Sequence, residues 1–217
     1  RRLVVYDAIG LFQRAIDGTA EWVRPTGVAV SADGARLHVV DTGGVESDAH
    51  RVLSYDAQGR LLRSIGRRGE AAGEFNLPVD AALAPDGLLW VLDAGNFRLQ
   101  AFDEQGRFVR AFGSPGNGLG QFGRPRGLAI DREGLIYVSD ASFGNVQVFQ
   151  ADGQLLLALG SRAAQDGPGR FSLPSGVACD ETGRVYVVDQ FFHKVEVLRR
   201  LGDAEGQQRL REALAAA

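Results

Sequence analysis

Between Pro78 and Gly113, apolar positions gather into four short runs separated by turn residues. VDAALA closes at Pro85-Asp86-Gly87, and LLWVLD ends on Asp93. AGNF then leads into RLQAFD, and Glu104-Gln105-Gly106 turns into RFVRAFG. Runs of this length, bounded by Gly, Pro, Asp and Asn, predict four β-strands joined in sequence. One four-stranded sheet has too little core to stand alone, so the unit needs neighbours of its own kind.

The neighbours are in the chain. PTGVAVSADGARLHVVD starts at Pro25, PRGLAIDREGLIYVSD at Pro125 and PSGVACDETGRVYVVD at Pro174. The period is about fifty residues, and the first interval is lengthened by TGGVESDAH between Asp41 and Arg51. An aromatic precedes each copy: Trp22, Phe75, Phe122 and Phe171. Repeats of this length with four strands each predict an all-β fold, a β-propeller of four-stranded antiparallel blades.

The repeat resembles the NHL family. Pro-x-Gly-aliphatic-Ala-aliphatic-Asp, a Tyr-Val-x-Asp strand end and a Phe-Gly before a Gly-rich linker all recur. Asp93-Ala-Gly-Asn96-Phe-Arg98 is similar to the family's middle motif, and His50-Arg51 and His193-Lys194 to its His-Arg pair. The resemblance covers residues 1 to about 200 and implies a six-bladed propeller, of which about four and a half blades are visible here. WD40 and kelch repeats fit less well. The Gly-His…Trp-Asp pattern is missing, and Gly43-Gly44 is the only Gly pair.

Residues 1–21 align with the third and fourth strands of a blade, so the chain opens inside a partial one. Blades starting at 25, 78 and 125 follow, then a last one from 174 with three clear strands. Its fourth strand is expected from upstream sequence, since propellers protect their edges by such closure. Residues 1–200 are therefore read as one propeller and residues 201–217 as a helical tail. Asp203 is the expected cap, and Leu210 and Leu214 share one face of the helix.

Composition adds few constraints. The 29 glycines among 217 residues are nearly double the usual share of roughly 7%, as a turn-rich fold requires. A net charge of −3 makes no global case for nucleic acid or membrane. No apolar run is long enough for a membrane span. Cys179 is the only cysteine, which excludes an intrachain disulfide, and it is read as a small buried apolar residue. The chain contains no Met, so its natural N-terminus is expected upstream. A signal peptide removed there would place the protein in the periplasm or outside the cell.

Three sets of residues invite chemistry. Asp41, Asp93, Asp140 and Asp189 end the second strand of each blade, and Arg51, Arg98 and Lys194 follow in three of them. The structural reading, a carboxylate bonded to its own loop and paired with the next cation, is favoured over a ligand ring because it recurs in every blade. His38, His50 and His193 are dispersed, with no second ligand at metal spacing, so no metal and no cofactor is expected. Asp80 replaces the glycine of the other copies (Gly27, Gly127, Gly176) at the channel mouth and is read as a solvated, lone carboxylate. No catalytic triad, phosphate loop or paired-acid motif is present.

Alternate turns of an up-and-down blade emerge on opposite faces. The short turns carry an acidic excess. The loops after second and fourth strands bring Arg98, Arg124, Arg126, Arg162, Arg170 and Lys194, together with Phe97, Phe143, Phe191 and Phe192. Cations and aromatics on long loops of a rigid scaffold suit recognition. The expected function is a non-catalytic scaffold that binds a protein or anionic ligand through this face. A channel-centred lyase or lactonase-like enzyme is the alternative, and single-stranded RNA binding ranks third.

Overall fold

An aspartate closes each short turn from within. Asp56 Oδ1 accepts the backbone N–H of Gln58 and Arg60, both at 2.9 Å. Asp103, Asp131 and Asp180 accept in the same way from two and four residues on. A glycine in the left-handed region then completes the reversal, as at Gly106 with φ 77°. These turns force consecutive strands to pair antiparallel.

The computed structural model describes residues 1–18 and 21–215. A first hairpin joins β1 (Arg2–Tyr6) to β2 (Phe12–Asp17). Blade one contains β3 (Pro25–Val30), β4 (Arg36–Asp41), β5 (Arg51–Asp56) and β6 (Leu61–Ile65). Blade two contains β7 (Pro78–Leu83), β8 (Leu89–Asp93), β9 (Arg98–Phe102) and β10 (Phe108–Phe112), with a 3-10 turn at Ala94–Asn96. Blade three contains β11 (Pro125–Ile130), β12 (Ile136–Asp140), β13 (Asn145–Phe149) and β14 (Leu155–Leu159). Its linker to the next blade carries a two-residue parallel pair, β15 (Ser161–Arg162) with β16 (Arg170–Phe171). Blade four has three strands in order: β17 (Pro174–Cys179), β18 (Arg184–Asp189) and β19 (Lys194–Arg199). The first strands β3, β7, β11 and β17 touch in succession and line the axis, so Val28, Leu128 and Val177 lie innermost.

The parallel pair is part of a latch that the sequence does not announce. Each linker folds back so that its aromatic lies against the glycine ending the previous fourth strand. Parallel bridges Arg68 with Phe75 and Pro115 with Phe122 repeat the β15–β16 arrangement. Phe75, Phe122 and Phe171 are wholly buried. A Cβ on Gly66 or Gly160 would overlap the rings of Phe75 and Phe171, and one on Gly113 would lie 2.6 Å from Phe122. Glycine there admits the ring, and the ring fills the gap between blades.

The core is accordingly divided into layers between blades. Trp22, Val39 and Tyr55 pack with Leu3 of the first hairpin. Val40, Ile65, Phe75 and Val91 fill the gap between blades one and two. Trp90, Phe122 and Phe149 fill the next gap, and Tyr137, Phe171 and Val187 the last. Cys179 is half-buried at this last layer, where burial pushes its thiol up to about 12. After β19, α1 (Asp203–Ala215) follows, with Arg199 paired to Glu205 at 2.5 Å. Leu214 is exposed. The predicted cap at Asp203 and the Leu210 half of the apolar stripe lie outside the described side chains. Among the described residues, no helix is long and apolar enough to cross a membrane.

Candidate functional site

The strand-end aspartates are wholly buried, and backbone donors surround them. Asp140 accepts from the N–H of Gly123, Arg124, Ser142 and Phe143. Asp189 accepts from Ser172, Leu173, Phe191 and Phe192. Each carboxylate thus clamps its own loop to the linker entering the same blade. Burial pushes Asp189 up, but its four N–H donors outweigh that and hold it below the usual carboxylate range. At Asp93 burial prevails over the donors and raises the carboxyl.

The expected cation pairing holds only in part. Arg98 Nε meets Asp93 Oδ2 at 2.9 Å, and its Nη2 also donates to the carbonyls of Ala71 and Glu74. Arg51 is looser, 3.5 Å from Asp41. Lys194 does not pair with Asp189. Its Nζ lies 2.7 Å from Asp166 and 2.9 Å from Glu196, over the rings of Phe171 and Phe192. Glu196 is two residues along the same strand and therefore on the same face as Lys194.

The histidines are placed apart. His50 Nδ1 accepts the N–H of Leu77, which puts the proton on Nε2, where it donates to the Gly44 carbonyl. His50 is thereby a fully bonded tie between its loop and the next linker. His193 caps the turn before β19 at φ 53°, the position of Phe97 at φ 55° in blade two. His38 lies in β4, with Nδ1 2.8 Å from Ser54 Oγ. Among the described residues, no three His, Cys, Asp or Glu side chains are grouped to hold a metal ion.

Asp80 corrects the expectation of a solvated carboxylate. It is half-buried, with Oδ1 on its neighbour Ala81 N–H and Oδ2 on Leu128 N–H in the next blade, both at 3.0 Å. On its other side a Cβ at Gly27 would lie 2.8 Å from Oδ1. The inner strands approach so closely that blade three keeps a glycine here: a Cβ on Gly127 would overlap the Ser175 carbonyl. In blade two the aspartate itself reaches across. Burial pushes its carboxyl up to about 6 against the pull of the two N–H donors.

The long-loop face separates into anchored and unanchored groups. Arg98 and Lys194 are consumed by the contacts above, and Arg162 Nη1 donates to the Ser142 carbonyl at 2.9 Å. Arg124, Arg126 and Arg170 make no side-chain hydrogen bond or ion pair among the described residues. Phe97 packs against the second core layer, and Phe143 and Phe192 are half-buried. Phe191 is 59% exposed, stacked edge-on against Phe192 at 5.3 Å. The surface the sequence predicts is thus reduced to three free arginines, Arg162 and one exposed ring.

A sizeable cavity lies elsewhere. About 1150 Å³ opens on the short-turn face, bordered by His38, Ser54 and Arg63 of blade one, Leu89 of blade two and Ile130 of blade three. The repeat pattern conceals it, because it depends on which side chains meet across strands.

Comparison with known proteins supports this architecture. The family model DUF5128, described as a 6-bladed beta-propeller, matches residues 78–156. A structural genomics protein of unknown function from Bacteroides thetaiotaomicron superposes with TM-score 0.65 at 16% identity, over 90% of this chain and 53% of that one. Virginiamycin B lyase from Staphylococcus aureus gives TM-score 0.60 at 10% identity, over 93% and 64%. Kuenenia stuttgartiensis hydrazine synthase gives 0.52 at 18%, over 85% and 53%. These superpositions show a shared fold alone. The chain spans less than two thirds of each of these matched chains.

Proposed function

We infer that the chain is a non-catalytic recognition scaffold of NHL type, with residues 1–200 as the propeller and residues 201–217 as a tail. Its long-loop face binds an acidic protein segment. The observation that carries this reading is the group Arg124, Arg126 and Arg170, cations without acidic partners among the described residues on a face where Arg98 and Lys194 are ion-paired; Arg24, at the place of Arg124 in blade one, is exposed and likewise unpaired. Rigid blades hold the backbone of these loops through the buried aspartates, so little ordering cost attends binding. Exposed Phe191 offers an apolar contact beside them. Attraction of this kind steers an acidic partner and weakens with salt.

A hexaglutamate peptide is the probe. Replacing Arg124, Arg126 and Arg170 together with Ala is expected to weaken its binding about ten-fold or more while leaving Tm within about 2 °C, because Arg124 and Arg170 are exposed and Arg126, half-buried in β11, has no side-chain partner among the described residues. Unchanged peptide binding in the triple variant contradicts the reading. Preference for a single-stranded RNA oligomer over the peptide replaces it with nucleic-acid recognition.

A further inference from the structure

The blades differ most along one cross-strand row, the one facing the next blade just inside the short turns. In blade two the row reads Ala82, Trp90, Ala101 and Arg110. In blade three it reads Ala129, Tyr137, Val148 and Leu157, and in blade four Ala178, Tyr186 and Val197. In these blades a large aromatic occupies the second strand. Trp90 packs on Phe112 at 5.4 Å under Arg110, and the Tyr137 and Tyr186 hydroxyls donate to Asp131 and Asp180 at 2.9 Å.

Blade one breaks the row. It reads Ala29, His38, Ser54 and Arg63. Histidine is too small to fill the space of Trp or Tyr, and the cavity of about 1150 Å³ opens where the ring would lie. His38, Ser54 and Arg63 all border it. His38 is only 8% exposed, and its Nδ1 is taken by Ser54. Among the described residues its ring makes no second hydrogen bond through Nε2. Arg63 donates once, to the Glu104 carbonyl, and has no carboxylate partner. The other cations at the cavity are matched, Arg36 with Glu104, Arg107 with Asp103, and Arg132 with Glu181, while Asp33 and Asp131 have no cation partner among the described residues. The remaining walls include Ile65, Leu83, Leu89 and Ile130.

We propose that this inter-blade cavity is a binding site for a small organic monocarboxylate with an apolar body. Arg63 meets the carboxylate, His38 Nε2 bonds to it, and Leu83, Leu89 and Ile130 hold the apolar part. A mainly apolar pocket with a few convergent polar groups is the usual form of a small-molecule site. One unmatched guanidinium suits a single negative charge, whereas Asp33, Asp86, Asp103 and Asp131 around the rim oppose a multiply charged ion. The site lies on the face opposite Arg124, Arg126 and Arg170, so it stands or falls independently of the acidic-partner reading.

Hexanoate, hexanamide and inorganic phosphate are the probes, titrated by calorimetry against the full chain. Hexanoate is expected to bind at least about ten-fold more tightly than hexanamide or phosphate, since its charge-assisted bonds carry the recognition. Arg63→Gln is expected to remove that preference. His38→Tyr restores the aromatic of blades three and four, and is expected to abolish binding while keeping or raising Tm. The Arg124, Arg126 and Arg170 triple Ala variant is expected to bind hexanoate as the parent does. Hexanoate binding no better than hexanamide, or surviving His38→Tyr, overturns the proposal.

Discussion

Asp80 Oδ2 accepts the backbone N–H of Leu128 at 3.0 Å, joining the innermost strands of two successive blades through one side chain. The carboxylate is half-buried at the closest approach of the strands, and burial pushes it up to about 6. The folded chain therefore holds this proton more tightly than the unfolded chain, whose carboxyl titrates near ~3.9. The resulting stability is fully present below the unfolded value and is lost as pH rises through about 6. Asp80→Asn removes the titration. Its stability relative to the parent is expected to improve between pH 4 and 7 by on the order of 2 kcal/mol. Urea unfolding at several pH values measures it, and a difference independent of pH contradicts it.

Asp93 collects four donors, three of them from side chains: Asn76 N–H, Asn96 Nδ2, Arg98 Nε and Gln100 Nε2. Asp93→Ala leaves Asn76 N–H and Arg98 Nε without this acceptor and Arg98 without its carboxylate, while Asn96 and Gln100 keep only the Gly69 and Glu74 carbonyls. The expected loss is about 3 kcal/mol, read as a shift in the urea midpoint at constant slope. A loss under about 0.5 kcal/mol, the range of ordinary surface changes, refutes the clamp.

The inner-strand glycines allow a paired test. A Cβ on Gly127 would overlap the Ser175 carbonyl, whereas on Gly176 it would meet nothing nearer than Val188 at 3.7 Å. Gly127→Ala is expected to cost about 1–3 kcal/mol by forcing the strands apart, and Gly176→Ala to stay within about 0.5 kcal/mol. Equal effects on thermal unfolding would show that blade spacing is not set there.

Much of the fold is legible in the sequence because its determinants are local. Asp56 to Gly59 and Asp103 to Gly106 carry their turn chemistry within four residues, and the apolar runs between such turns become the strands. Residues whose partners lie a blade away are another matter. Asp80 looks solvated until Leu128, nearly one period downstream, is brought beside it. The aromatics before each proline are conspicuous, but that Phe75 rests on Gly66 follows only from the folded linker. Lys194 was legible in principle, since Glu196 sits at strand spacing on the same face. The His38, Ser54 and Arg63 row needs the strand register, and once the four copies are aligned its departure from Trp90 and Tyr137 is the signal.

On the proposed function, recognition belongs to the long-loop face. Amide shift mapping of the full chain with hexaglutamate at low salt tests it most directly. The expected perturbations fall in residues 114–126, 141–144, 160–172 and 190–193, and they fade as salt shortens the Debye length to roughly 3 Å at 1 M. Perturbations concentrated instead in the turns 103–106, 131–134 and 180–183 would contradict the claim.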